Sequence, residues 1–444
     1  MLVSEKEYNP ETINRRNDKR RLQSDALQIK HTIMEKGESM ENVVVWGTGN
    51  IGTSEFYISL LKKEYNILGY CDSDKSKWKQ SINGYVVLTE KELTDAAEKN
   101  LGRILVAVAD ETVFFRIRDK IEKLNLPDRV KVSWYKNLYF DLVKKNMEAL
   151  RPVKAYEEKD IDFRKQTETW LDNLMSEVEF WTEIVAKPKA RNRDDYEKRL
   201  QNRKFTSELT QNTERVEDYL KDKQGALVYD IGCGLAPRFG TQLASGKVIQ
   251  LTGIDPLAYF YNVINRKFAS VPCREIVFGM FEFLSKFINK NMADVVIVNN
   301  ALDHCIDPFR SIVECLRILK AGGMLHMNHG RMEGLVGLYQ GLHQWNMDYN
   351  EKGDFIIWNY DVMINVSERL KDIAEVQVYY SDQQISLDEQ YVCVEIIKKK
   401  EFSMADIINM DNDDAELAFM VKKMMEIISN PDFNLRFKNM LVSS

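Results

Sequence analysis

The stretch LVYDIGCGLAPRFG, Leu227 to Gly240, decides how the second half of this chain is read. A short apolar run ends in an acid, Asp230, and passes into a turn carrying Gly232 and Gly234. Glycine lets a backbone turn tightly and come close to a ligand. Pro237 suits the first turn of a helix, where its missing N–H costs nothing. The pattern predicts a strand, a glycine turn and a helix. Downstream, LTGIDPLAYFYN puts Asp255 at the end of the next strand. A carboxylate there can accept hydrogen bonds from a ribose diol, so a nucleoside ligand would lie across the two strand ends.

Strand and helix keep alternating around this stretch. Strands are expected at 226–231, 248–254, 274–278, 293–298, 323–328, 376–380 and 390–398. In DPFRSIVECLRILKAGG, Phe309, Ile312, Val313, Leu316 and Leu319 form one helical face, which Gly322 and Gly323 should end. An earlier stretch, VVVWGTGNIG, Val43 to Gly52, repeats the strand-and-glycine pattern as a full G-x-G-x-x-G, with Asp72 at the end of the following strand. The expected organisation is a helical segment at 1–40, a small Rossmann-like domain at 41–140, a helical connector at 141–222, a larger α/β domain at 223–400 and a helical tail at 401–444. Both domains should carry parallel sheets. In the connector, Trp170, Leu174, Val178 and Trp181 share one helical face, read as packing against a neighbour or as a lid over a pocket.

With 444 residues, several domains are the expectation. The net charge of -6 argues against nucleic acid as the partner. Six scattered cysteines without a C-x-x-C pair, and a polar start without a signal-peptide core, point to a reduced, cytoplasmic setting. Homo-oligomers are an open expectation.

The order of Asp230–Gly234, Asp255, the strand-and-polar stretch VVIVNNALDH and the G-G turn before LHMNHG resembles class I S-adenosylmethionine-dependent methyltransferases over about residues 223–400. The resemblance implies S-adenosylmethionine as cofactor. Asp230, Gly232 and Gly234 would hold its amino-acid end, Asp255 its ribose, and Met280 and Phe281 its adenine. Glu282 stands two residues beyond Met280, where many relatives place an acid nearer. Asn299 to His304 would line the bottom of the active site.

Four of the five histidines fall in LDHCID…LHMNHGRMEGLVGLYQGLHQWNMD. A hydroxyl acceptor needs a base, and histidine serves near neutral pH. His304 and His329 are the candidate bases, with His304 ahead, and Asp303 or Glu333 are the orienting carboxylates. His326 reads as a packed core residue. His343, Trp345 and Asn346, in an expected loop, read as a substrate floor or wall, with Trp345 stacking on a ring such as a sugar or anchoring the loop. No tight metal-ligand spacing is present, so no metal is expected, although the histidines and Glu333 leave that reading open.

The continuation of the first glycine turn, LGYCDSDKSKWKQSINGYVVLTEKEL, resembles the small Rossmann-like domains of bacterial sugar acyltransferases, over about residues 41–110. That implies a nucleotide or nucleotide sugar at Gly47, Gly49, Gly52 and Asp72, with Lys75 or Lys77 neutralising phosphate. The combined expectation is a methyltransferase that O-methylates a sugar or glycan precursor. The rivals are a methyltransferase for another small metabolite, an oxidoreductase centred on the first turn, and a non-catalytic binding protein. The oxidoreductase lacks an evident partner for Lys120 and Lys123.

Overall fold

The computed structural model describes residues 40–157, 161–186, 193–205, 213–381, 385–403, 405, 407–408 and 413–442. The helical expectation for 1–40 lies outside the described residues except for Met40. The chain divides into two compact units, with the boundary between Lys136 and Asn137.

The first unit holds β1 (Glu41–Trp46), β2 (Tyr65–Cys71), a small hairpin of β3 (Ser81–Ile82) and β4 (Tyr85–Val86), β5 (Arg103–Val106) and β6 (Lys131–Trp134). Its main sheet is parallel in the order β2-β1-β5-β6. Val44, Trp46, Ile104 and Val106 form the core with Leu93 and Phe114 from the helices. The helix Glu90–Lys99 starts where Thr89 and Glu92 satisfy each other's backbone N–H groups.

The second unit is built on a seven-stranded sheet among the described residues: β7 (Leu227–Ile231), β8 (Gln250–Asp255), β9 (Val277–Phe278), β10 (Ala293–Asn299), β11 (Leu319–Gly330), β15 (Ala374–Tyr380) and β16 (Tyr391–Lys398). Its order is β15-β16-β11-β10-β7-β8-β9, and β16 alone runs against the others. From β7 the chain winds outward through β8 and β9, then returns to β10 on the other side. The crevice beyond the carboxyl ends of β7 and β10 is therefore the switch point where α/β sheets bind ligands. The fold class read from the sequence, α/β with parallel sheets and a helical tail, is the one observed.

Three local readings need correction. Residues 343–348 are not a connecting loop: they run into β12 (Asn346–Tyr349), which pairs with β13 (Phe355–Trp358), and β13 pairs with β14 (Met363–Asn365). Every residue of β12 and β13 is buried, so neither shows the alternation that marks a half-exposed strand. Asp348, fully buried, is matched by Arg151 at 2.5 Å and Arg331 at 2.8 Å. The second correction concerns Gly322 and Gly323, which lie inside β11, because the preceding helix already stops at Ile318. The third is the helix expected after the glycine turn: residues 232–249 run through turns and bends to β8, and Pro237 opens no helix.

Residues 141–222 contribute the helices Phe163–Ala186, Arg193–Gln201 and Glu214–Leu220 to the second unit. Leu174 and Val178 pack in one cluster with Leu257, Phe260 and Ile264. From the tail, Met420, Met424 and Phe437 join the same cluster. Arg310 fastens the helix Asp413–Ser429 through Asp413 at 2.5 Å and Glu416 at 2.8 Å.

Candidate active site

A cavity of about 550 Å³ opens at the switch point of the second unit. Its lining includes Gly232 and Gly234 after β7, Asp255 of β8, Met280 and Phe281 after β9, and Asn299 and His304 at and after β10 with His343 beside His304; β9 and β10 lie on opposite sides of β7 and β8. The turn after β7 takes this shape because both glycines are left-handed, with φ +67 at Gly232 and +63 at Gly234. A Cβ on Gly232 would stand 2.4 Å from the Cβ of Ala301, and one on Gly234 would stand 3.3 Å from the Trp181 ring.

Asp255 accepts hydrogen bonds from the Gly234 N–H at 3.0 Å and the Leu257 N–H at 2.8 Å. Burial raises its carboxyl to about 7, against the lowering effect of those bonds. A carboxylate can accept further bonds on the remaining lone pairs of its two oxygens, so a diol can still be received. Asp230 does not line the cavity; it lies behind the turn, accepts from the Arg238 N–H at 3.3 Å, and is likewise raised by burial to about 7. Glu282 is occupied with backbone, accepting from the N–H of Ile306 at 2.7 Å.

The polar end is organised around Asp303, a fully buried carboxylate. Its Oδ2 lies 2.6 Å from Nδ1 of His343 and 3.5 Å from Nε2 of His304. The two imidazoles meet edge to face, with Nε2 of His304 3.2 Å from Nδ1 of His343. With the His343 Nδ1 proton assigned toward Asp303, the other nitrogen of that ring is left as acceptor. Burial alone would lower the His343 imidazole, but the Asp303 bond and charge, helped by Glu333 and Glu177, raise it well above the ordinary range. The same pairing holds Asp303 ionised despite burial, which by itself would raise it. Two indoles fix the backbone here: Trp170 donates to the His304 carbonyl at 3.1 Å and Trp345 to the Cys305 carbonyl at 3.0 Å.

Several assignments change with this geometry. His343, read as substrate wall, is the ring that Asp303 holds. His329 is buried and outside the cavity lining, and burial pushes its imidazole down to about 4. Glu333 is also outside the lining, with its carboxyl raised by burial. Trp345 is core rather than a stacking platform, and Asn346 is buried, accepting from the Leu335 N–H at 2.9 Å. Trp170, Phe180 and Trp181 of the helix Phe163–Ala186 line the cavity, as do Tyr196, Tyr261 and Phe281. Glu177, on the same wall and bonded to the Trp181 indole at 2.7 Å, was not singled out from the sequence, although it sits at helical spacing between the tryptophans. Arg238 and Arg199 complete the lining near Asp230. Asp303, His304 and His343 also bring one ligand atom each within 4.8 Å of one another, a set able to hold a metal ion.

In the first unit, Gly47 has φ +114, and a Cβ on Gly52 would lie 1.9 Å from the Gly47 carbonyl oxygen. Asp72 is engaged by the Thr48 hydroxyl, by the Thr48 N–H at 2.9 Å and by Lys77 at 3.3 Å. Its carboxyl is held below the usual range: burial works upward, and the Thr48 and Asp74 bonds and Lys77 outweigh it. Lys75 lies over the Trp78 ring. Gly49 has nothing within 4 Å of where a Cβ would stand.

Residues 229–327 match a family described as methyltransferase domain, and residues 39–130 match one described as C2185-like, N-terminal. The second unit thus carries a methyltransferase domain. Among curated proteins, the redox-sensing transcriptional repressor Rex of Thermosipho africanus is 35% identical over 86 residues, 19% of this chain and 42% of that protein. An uncharacterized 37.1 kDa protein in transposon TN4556 of Streptomyces fradiae is 28% identical over 123 residues, 27% of this chain and 34% of that protein. The chain therefore spans less than half the length of these relatives. Among solved structures, the N-methyltransferase NodS of Bradyrhizobium japonicum, in complex with S-adenosylhomocysteine, is 15% identical, with 47% of this chain and 98% of that chain covered and a TM-score of 0.28. Among the described residues no helix is long and apolar enough to cross a membrane.

Proposed function

We propose that the second unit transfers the methyl group of S-adenosylmethionine to a hydroxyl oxygen of a sugar or glycan precursor. The observation that carries this reading is the His343 imidazole, backed by buried Asp303, in the lining of the cavity. S-adenosylmethionine, when bound, supplies a methyl group on a sulfonium leaving group. Gly232 and Gly234 let the backbone approach the ligand, Asp255 receives the ribose hydroxyls, and Met280 and Phe281 enclose the base. Asp303 holds the His343 ring so that its free nitrogen takes the proton of the acceptor hydroxyl as the new C–O bond forms and the C–S bond breaks. Holding the acceptor in line is worth up to about 7–11 kcal/mol in favourable cases.

The sugar reading is supported by the aromatic wall of Trp170, Phe180 and Trp181, since flat rings offer apolar area to the C–H face of a pyranose. The first unit is proposed to hold a nucleotide-bearing ligand at Gly47, Gly49 and Gly52. Its support is the open space beside Gly49 and the nearby Lys77 ammonium; Asp72 would exchange its Thr48 bonds for ribose hydroxyls. The test is calorimetry with S-adenosylhomocysteine, followed by transfer of labelled methyl to a panel of sugars and nucleotide sugars. Binding with methylation of a saccharide oxygen is the expected result. A folded chain that binds neither S-adenosylmethionine nor S-adenosylhomocysteine sinks the methyltransferase reading, and methylation confined to amines or carbon sinks the acceptor.

A further inference from the structure

The second unit contains a cluster that methyl transfer does not use. On one face of the sheet, His326 of β11 stands directly opposite Glu395 of β16, and Cys393 lies two residues before Glu395 on the same face. His326 and Cys393 are 0% exposed and Glu395 is 4% exposed. One ligand atom from each lies within 4.8 Å of the others. Neither ring nitrogen of His326 nor Oε1 of Glu395 has a hydrogen-bond partner. The His326–Glu395 approach is 3.6 Å, too long for a hydrogen bond. Burying an imidazole and a carboxylate oxygen without partners is costly, and native structures rarely leave such groups unmatched.

We infer that His326, Cys393 and Glu395 form a binding site for one divalent metal ion of borderline softness, such as zinc, which staples β11 to β16. The site offers one nitrogen, one sulfur and one oxygen donor, the mixed set that zinc accepts. A tetrahedral site needs a fourth donor. Asn328 stands two residues from His326 and opposite Cys393, and its buried Oδ1 also has no partner. On binding, the Cys393 thiol loses its proton to solvent and the thiolate becomes the ligand. Arg215, 47% exposed, lies 3.6 Å from Glu395 and stacks over the Tyr379 ring, so it covers the cluster from the surface side. Asn328 is also in register with Asn299 of β10, a residue of the cavity wall. A metal here would stiffen the strands beneath the cavity without touching substrate. The inference does not depend on the methyl-transfer reading.

The experiment uses the full chain, stripped with chelator and titrated with Co²⁺, whose thiolate charge-transfer absorption reports a cysteine ligand. The expected result is one equivalent bound with that absorption, displaced by Zn²⁺, together with zinc retained by the purified protein. Cys393→Ser should abolish the absorption, and His326→Gln should weaken metal binding by more than about 100-fold, since even residues behind a ligand are worth roughly 10–100-fold. His343→Ala should leave the absorption intact, which separates this cluster from Asp303 and its histidines. Failure of the folded wild type to take up Co²⁺ with thiolate absorption overturns the inference. So does stoichiometric metal in folded His326→Gln with unchanged affinity, whether or not Cys393→Ser folds.

Discussion

The base role proposed for His343 rests on a partner 40 positions away, Asp303. As general base it must be deprotonated, and Asp303 raises its imidazole above the ordinary range. Turnover should therefore climb as pH rises beyond that range. His343→Ala should cost about 10²–10⁴-fold in turnover while S-adenosylhomocysteine affinity is kept. Asp303→Asn should also lower turnover, and should move the rise to lower pH because the charge that raises His343 is gone. Single-turnover methylation across pH reads both effects; an unshifted profile in Asp303→Asn counts against the pairing. Asp255 gives a second pH effect of defined sign. Its carboxyl sits near 7 in the free chain and must be ionised to accept both ribose hydroxyls. Below that pH, binding has to expel a proton, so S-adenosylhomocysteine affinity should fall as pH drops and level off above about 7. Calorimetry in buffers of different ionisation enthalpy would show the proton release, and a pH-independent affinity would remove Asp255 from the contact.

At the scale of elements, the glycine turn after β7 was legible because its chemistry is local. Strand and left-handed glycine each state their need within a few residues, whereas Pro237, which suits a helix start, is followed by no helix before β8. Gly232→Ala meets both a φ of +67 and a Cβ contact of 2.4 Å with Ala301. Left-handed backbone costs an ordinary residue about 1–2 kcal/mol, and the contact must displace the 299–301 segment as well. The expected outcome is a lower melting temperature and at least about tenfold weaker S-adenosylhomocysteine binding. Gly246→Ala is the control, since it has φ +82 but nothing within 4 Å, and it should lose stability without losing affinity. If the two variants bind alike, the close approach at Gly232 is irrelevant to the cofactor. Other elements left no such local mark. β12 and β13 are buried on both faces, so their sequence does not alternate. For Trp345 the sequence leaves stacking and anchoring open, because a tryptophan beside polar residues reads the same whether its indole faces substrate or, as here, donates to the Cys305 carbonyl. Asp303 could be placed near a strand end from sequence, but His343 read as a loop residue, and their pairing depends on the path of residues 331–343.

For the whole molecule, two glycine turns on two units give a clean separation. Gly52→Ala forces a Cβ to within 1.9 Å of the Gly47 carbonyl oxygen, so the first unit must open its turn. Hydrogen exchange should then quicken across β1 and the helix Glu55–Leu61. Binding of S-adenosylhomocysteine to the second unit should be unchanged, because each unit packs its own core. Gly49→Val fills the open space beside that turn, and should abolish a nucleotide ligand of the first unit while sparing the same cofactor. Loss of cofactor binding in either folded variant would show that the two units are energetically linked.

The lining of the cavity also has an order in time. Trp170 and Glu177 precede the glycine turn in the chain, and Met420 comes long after it. On a ribosome, the aromatic wall emerges first and the last lining residue follows some 250 positions later. At roughly 5–20 residues per second that gap lasts about 13–50 s. During it, the nascent unit has its glycine turn and its Asp255 but lacks a complete pocket. Cofactor capture then becomes a late event of biosynthesis, and a ribosome-stalled chain ending before residue 420 should hold S-adenosylhomocysteine less tightly than one stalled beyond it.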